Sequence, residues 1–192
     1  MTLNEMEAYV REHLSQARAE HSVNVAAEAV KLARHYGADA EKAEIAGMLH
    51  DITKETSVPE QLQILKESGI ITNSLDFCSP KLLHAQTAAA LIPSLFGVND
   101  PEILRAVRYH TTAREDMTLL EKVLYIADYI SAERDYEGVE ELRKTAYLDL
   151  EQAILIGLQF TVQELAENFR PIHPDTMAAY NQILCERMER RK

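Results

Sequence analysis

Cysteine is scarce in this chain. Cys78 and Cys185 lie far apart and neither sits in CxxC spacing, so no disulfide framework and no zinc knuckle is indicated. Glycine and proline are also sparse, at 6 each, while Ala, Leu and Glu dominate, a composition that favours helix. Positive charge is short: 20 Lys and Arg face 31 Asp and Glu, for a net charge of −11. Surfaces for nucleic-acid polymers or anionic membranes need basic patches, so both partner classes are argued against. A small anionic ligand stays open, because a bound metal reverses the local field. No apolar run approaches membrane-spanning length, the longest being Ala153 to Leu158. Residues Met1 to Arg11 carry acids and no apolar core, unlike a signal peptide. These absences point to a reduced cytoplasm. The 192 residues, 46% apolar and 27% charged, suit one domain with a substantial core.

What is present is helical periodicity. Thr2-Leu3-Asn4-Glu5 reads as a capping box opening a helix to about Ala17. A second helix is expected from about Ala19 to Tyr36, stopped by Gly37, and a third from Asp39 to His50-Asp51. Ser57-Val58-Pro59-Glu60 starts a fourth, ending at Gly69. Ser79-Pro80 opens a fifth through Phe96, with Pro93 expected to kink it or end it early. Helices follow from Asn99-Asp100-Pro101 to His110 and, behind the capping box Thr118 to Glu121, to about Ser131. The last three are expected at Val139 to Tyr147, Asp149 to Phe169 and Thr176 to Arg187. No period-two strand and no internal repeat is visible, so the expectation is all-α and a single domain over residues 1–192.

Several ionisable residues fall on the wrong face of these helices. His21 shares the stripe of Val25 and Ala29; His50 lies one turn after Ala46, and Asp51 after Gly47 and Met48. His84 precedes Ala88 and Leu91, His110 follows Ala106 and Val107, and Asp128 follows Leu124 and Tyr125. An inward ionisable group is costly unless it is paired or binds a metal. A single inward histidine is usually a hydrogen-bonded core residue; six such residues on five helices form a set. Imidazole and carboxylate together suit a borderline first-row metal. The other histidines fit plainer roles: His13 on a helix surface, His35 in a last turn favoured by the dipole, His173 in a proline-bounded loop.

The order His21, His50-Asp51, Asp128 resembles that of the HD-domain metal-dependent phosphohydrolases, all-helical proteins named for the adjacent pair. His84 and His110, between the pair and the last aspartate, mark the members with two metals. The segments around His21 (Arg18 to Ser22), Ala46 to Asp51, Tyr109-His110-Thr111, Tyr125 to Ile130 with Arg134, His173 to Thr176, and Tyr180-Asn181 are similar to the bacterial YqeK-type proteins. The likeness runs from about Glu5 to Leu184, and Ile52-Thr53-Lys54-Glu55 keeps the family's habit after the pair. The stretch Asn73 to Pro80 has no feature to match.

The resemblance implies an HD-domain fold and the activity of a symmetrical bis(5′-nucleosyl)-tetraphosphatase, which cuts diadenosine tetraphosphate (Ap4A) into two ADP. It implies His21, His50, Asp51 and Asp128 on one metal, and His84 and His110 on a second, with Asp51 bridging. Two ions about 3.5–4 Å apart can share a hydroxide and clamp phosphate oxygens. Ligand type admits iron, manganese, cobalt or zinc; iron enters through the resemblance. A tetraphosphate needs local cations against the net charge. Lys54 follows the pair and is the first candidate for a phosphate or the leaving ADP, although an exposed loop lysine fits as well. Arg18 lies one turn before His21, Arg134 can take a phosphate bidentately, and Lys81 stands at a helix start. Thr111 offers a hydroxyl. The loop with Arg170 and His173 either covers the base or is only a turn in which Asp175 caps the last helix. Alternatives are another HD nucleotide phosphohydrolase or phosphodiesterase, or a metal-stabilised nucleotide-binding module without turnover; the Gly-Tyr-Pro motif of the cyclic-dinucleotide members is absent.

Overall fold

A computed structural model describes residues 1–70, 75 and 78–190. Of the stretch Asn73 to Pro80, residues 73, 74, 76 and 77 therefore lie outside the described residues. Among the described residues there are ten α-helices, one 3₁₀ turn and no strand. They are α1 (Leu3–His13), α2 (Gln16–Tyr36), α3 (Ala40–Leu49), α4 (Val58–Glu67), α5 (Leu83–Phe96) behind the 3₁₀ turn Pro80–Leu82, and α6 (Pro101–Tyr109). Then come α7 (Leu119–Ile130), α8 (Val139–Leu148), α9 (Leu150–Glu167) and α10 (Pro174–Glu189).

The centre is α7. Leu120, Val123, Leu124, Tyr125, Ile126, Ala127 and Ile130 are all buried, so this helix is apolar on nearly every face. It packs against α2, α3, α6, α8 and α9. Around it one buried apolar cluster extends from Met6 on α1 to Ile183 on α10. The closest neighbours are α2 and α3, and Gly47 is the reason. A Cβ there would stand 2.5 Å from the Ala26 Cα and 2.8 Å from its nitrogen, so only hydrogen fits between the two backbones. No described helix is long and apolar enough to cross a membrane.

Most helix ends follow their caps. Thr2, Ser57 and Thr118 each form the capping box with Glu5, Glu60 and Glu121, and Gly37 closes α2 in the left-handed region. Two boundaries differ from the sequence reading, and a third, the end of α5 at Phe96, agrees with it in spite of Pro93. Helix α1 stops at His13 rather than near Ala17, because Glu55 accepts hydrogen bonds from the Ser15 backbone (2.8 Å) and hydroxyl (2.6 Å). Ser15 thereby becomes the N-cap of α2, a break set by a residue forty positions away. Pro93 does not end α5; burial of Ile92 and Phe96 carries the helix one turn further, to the Gly97 cap. Finally, α10 begins at Pro174, and its N-cap is His173, whose Nδ1 accepts from the Asp175 backbone N–H. Asp175 is not the cap.

Candidate metal centre

Five helices bring six candidate ligand residues together, mostly from their ends, with α3 supplying two. His21 stands in the second turn of α2, and His50-Asp51 follow the last residue of α3. His84 is the second residue of α5, His110 caps α6, and Asp128 lies in the last turn of α7. Helix ends are where the backbone turns aside, so a side chain there can enter a shared cavity without breaking the apolar stripe behind it. His21, His50, Asp51, His84 and His110 are all 5% exposed or less. Asp128 is the most open of the six, at 20% for its side chain.

The ring orientations follow from the backbone. His50 Nδ1 donates to the Gly47 carbonyl (2.7 Å), His110 Nδ1 to that of Val107 (2.7 Å) and His84 Nδ1 to that of Lys81 (2.6 Å). Each is the carbonyl three residues back. His21 Nδ1 is held instead by the Glu133 carboxylate. Carbonyls and carboxylates only accept, so Nδ1 carries the proton in all four rings, and in each neutral ring Nε2 is the atom left to ligate. Burial would lower the His21 pKa, but hydrogen bonds to Asp128 and Glu133 outweigh it and raise it.

The Nε2 atoms divide about Asp51. Its Oδ2 faces His50 Nε2 (3.6 Å) and His21 Nε2 (3.7 Å); its Oδ1 faces His84 Nε2 (3.1 Å) and His110 Nε2 (3.6 Å). Asp128 Oδ1 is 3.1 Å from His21 Nε2. Three groups could each hold an ion, their ligand atoms within 4.8 Å of one another: His21 with His50 and Asp51, His50 with His110 and Asp128, and Asp51 with His84 and His110. The six side chains singled out from the sequence thus converge.

The residues fit metal ions on two counts. Asp51 Oδ1 is buried and accepts no hydrogen bond. Acceptors also confront one another, His50 and His21 Nε2 at 3.3 Å and His84 and His110 Nε2 at 3.2 Å, which a cation between them would turn from repulsion into ligation. Electrostatics agrees. Burial pushes His50 down to about 4 and lowers His84, keeping both neutral and able to ligate at pH 7. Burial alone would raise the Asp51 carboxyl, but the imidazoles of His50, His110 and His84 outweigh it and hold it well below the usual range.

The cations take places that the sequence only partly indicates. Lys54 is no free loop lysine: its Nζ reaches 3.1 Å from His84 Nε2 and 4.0 Å from Asp51 Oδ1. Arg18 Nη1 donates to Asp51 Oδ2 (2.7 Å). Arg134 grips Asp128 twice, through Nη2 to Oδ1 and Nε to the backbone carbonyl (2.8 Å). Both arginines are therefore engaged by ligand carboxylates, the strongest opposite charges within reach. Lys81, Thr111, Arg170 and His173 line a separate pocket of about 470 Å³, where Arg170 pairs with Glu164 (3.4 Å). Thr111 also lines the pocket of about 380 Å³ that opens over His110 and Asp128. On the other flank, Arg18, His21 and Arg134 line a third hollow, of about 520 Å³. The plainer histidines keep their roles: His13 stacks on Tyr9, and His35 meets the Tyr147 carbonyl at 2.9 Å.

Sequence reasoning missed Glu133. It follows the end of α7 in irregular chain, where no periodicity marks a side chain as inward. Its only signal is its place beside Arg134. Burial opposes its ionisation, but His21 and the Ser131 hydroxyl lower its pKa to about 2, so it orients His21 as a carboxylate.

An all-helical scaffold with histidines and aspartates converging from five helix ends defines a metal-binding hydrolase of the histidine–aspartate class. The HD domain model matches residues 18–133, from Arg18 to Glu133, and the chain belongs to that family. It is 41% identical over 184 residues to the symmetrical bis(5′-nucleosyl)-tetraphosphatase of Bacillus subtilis, covering 96% of this chain and 98% of that one. Identity to the enzyme of that name from Halalkalibacterium halodurans is 40% over 177 residues, covering 92% and 94%. Among solved structures, a predicted HD superfamily hydrolase involved in NAD metabolism from Clostridium acetobutylicum superposes with a TM-score of 0.94 at 34% identity, over 97% and 98% of the two chains.

Proposed function

We propose that this chain hydrolyses diadenosine tetraphosphate symmetrically, one water and one substrate giving two ADP, at a centre of two transition-metal ions. The observation that carries the reading is the division of the Asp51 carboxylate, Oδ2 toward His21 and His50 and Oδ1 toward His84 and His110. One bridging carboxylate with a pair of imidazoles on each oxygen is a donor set for two ions side by side. His21, His50, Asp51 and Asp128 would hold one, and Asp51, His84 and His110 the other. Iron is the metal we assign, and the same donors accept manganese, cobalt or zinc. When bound, such a pair supplies Lewis acidity to phosphate oxygens and lowers the pKa of a water.

The chain's own groups do the rest. Glu133 and the Gly47, Lys81 and Val107 carbonyls fix the four rings before substrate arrives. Lys54, beside His84 and Asp51, is placed to neutralise the phosphate oxygens and the departing ADP. Arg18 and Arg134 stand at the ligand carboxylates and meet the rest of the phosphate chain. Held by its second phosphate from the nucleoside, the substrate breaks at its middle anhydride and the products are identical. Gripping the first phosphate would give AMP and ATP.

The relatives named above support this reading by their activity. Product chromatography tests it, with ferrous or manganous ion added. Two ADP per Ap4A is the expected result. AMP with ATP would refute the register, and no turnover of any dinucleoside polyphosphate would leave a different HD phosphohydrolase or a nucleotide-binding module.

A further inference from the structure

Two exposed aromatic rings stand at the mouth of the pocket above His110 and Asp128. Phe160, on α9, is 61% exposed, and Tyr136, in the loop between α7 and α8, is 36% exposed. Neither exposure serves the apolar core. The rings are nearly parallel, 23° apart, with centroids separated by 6.4 Å. Direct aromatic contacts range over about 4.5–7 Å, so this pair sits at the loose end. Stacked bases repeat at about 3.4 Å, so a planar base between two rings would hold them about 6.8 Å apart. The centroid separation of 6.4 Å approaches that spacing.

The clamp is oriented in advance. The Tyr136 hydroxyl donates to the Tyr129 carbonyl at 2.9 Å, which fixes the plane of its ring. Gly138 precedes α8 in the left-handed region (φ 89°), which lets the loop turn back sharply after Tyr136. Both rings line the same hollow of about 380 Å³ as His110, Asp128 and Arg134. A ligand with its base at the mouth therefore has its phosphates running toward the ligand side chains, past Arg134. Thr111, in the same wall, carries a buried hydroxyl with no hydrogen-bond partner.

We propose that Tyr136 and Phe160 form a stacking clamp for the nucleobase of one nucleoside diphosphate unit. The clamp rests on the nucleotide reading of the site and adds to it the two residues that hold a base. Stacking is sequence-tolerant, because every base has a π-face, so the clamp favours purines by area more than by hydrogen-bond pattern. It also sets the register, since a base fixed at the mouth determines which phosphate reaches the centre.

The test compares ligands with and without a base on manganese-loaded protein, by calorimetry: ADP against inorganic pyrophosphate. Phe160→Ala is expected to weaken ADP about tenfold and leave pyrophosphate unchanged, while Phe160→Trp restores ADP affinity. Tyr136→Leu should act like Phe160→Ala, and Tyr136→Phe should lose less. Equal ADP affinity in parent and Phe160→Ala protein would overturn the clamp. So would parent protein that binds ADP no better than pyrophosphate, even if it hydrolyses Ap4A. ADP binding that depends on Phe160, in a protein without turnover of any dinucleoside polyphosphate, would uphold the clamp and refute the proposed reaction.

Discussion

A carboxylate at the centre of four imidazoles is the smallest unit that explains the site. Asp51 is buried, ionised and short of one hydrogen bond, a costly state for a side chain unless a cation completes it. Its two oxygens serve two different ligand pairs, so its loss and the loss of a single histidine should differ in kind. Asp51→Ala is expected to reduce metal content at both positions together, with activity. His84→Ala removes one donor of the Oδ1 side only and should bring metal toward one ion per chain. Elemental analysis of the purified variants decides this, and near-full metal in both would contradict the two-position assignment. At this scale the six converging side chains were legible in the sequence because an ionisable group on an apolar helical stripe is visible by period, and the resemblance to HD-domain proteins joined the six into one set. Glu133, Tyr136 and Phe160 were not. The first lies off any helix, and an aromatic residue in a sequence reads as core until its exposure is known.

The helices place those residues, and their caps are mostly local chemistry. Thr2, Ser57, Asp39, Asp100, Thr118 and Asp149 lie at helix starts because their side chains satisfy free N–H groups or face their capping-box partner, and this is readable from a few adjacent residues. The break at Leu14-Ser15 was not readable, since Glu55 makes it from beyond the metal pair. The passage of α5 through Pro93 depends likewise on tertiary burial. The α2–α3 pairing is the element on which the site depends most. Gly47 lets the backbones touch, and its carbonyl orients His50, so one residue sets both the spacing of His21 from His50 and the tautomer of His50. Gly47→Ala places a methyl 2.5 Å from the Ala26 Cα, where backbone must shift rather than a flexible side chain. Although alanine is the better helix former by about 1 kcal/mol, overpacking of about 1–3 kcal/mol or more should win. We expect a lower urea midpoint together with weakened metal binding. An unchanged midpoint would show that α2 and α3 can separate freely.

On the scale of the molecule, a chain of net charge −11 is expected to handle a polyanion, and the contradiction resolves by location. Arg18, Lys54 and Arg134 surround the candidate ligands, and Lys81 and Arg170 line the adjoining pocket, while acids such as Glu7, Glu28, Asp100, Glu140 and Glu151 are held in ion pairs away from the site. Composition gave the net charge but could not show where the cations gather. One such pair joins the far ends of two site helices. Lys42, near the start of α3, bonds Asp100, the N-cap of α6, at 2.9 Å and Glu102 at 2.7 Å. The opposite ends of these helices carry His50 and His110. The Lys42 ammonium is the main cause that holds the Asp100 carboxyl below the usual carboxylate range. A folded pKa below the unfolded value, about 3.9, gives stability that is present above that pH and disappears as pH falls through the folded value. Asp100→Asn keeps a capping side chain but loses the charge. Metal-free parent protein should therefore exceed the variant in urea midpoint at pH 7 by the equivalent of about 1 kcal/mol or less, as a partly exposed pair allows. Below about pH 4 the two curves should converge, because acid neutralises in the parent what the substitution has already removed. A difference that stays constant from pH 7 to pH 3 would mean that Asp100 acts through its shape as a cap, with no contribution from its charge.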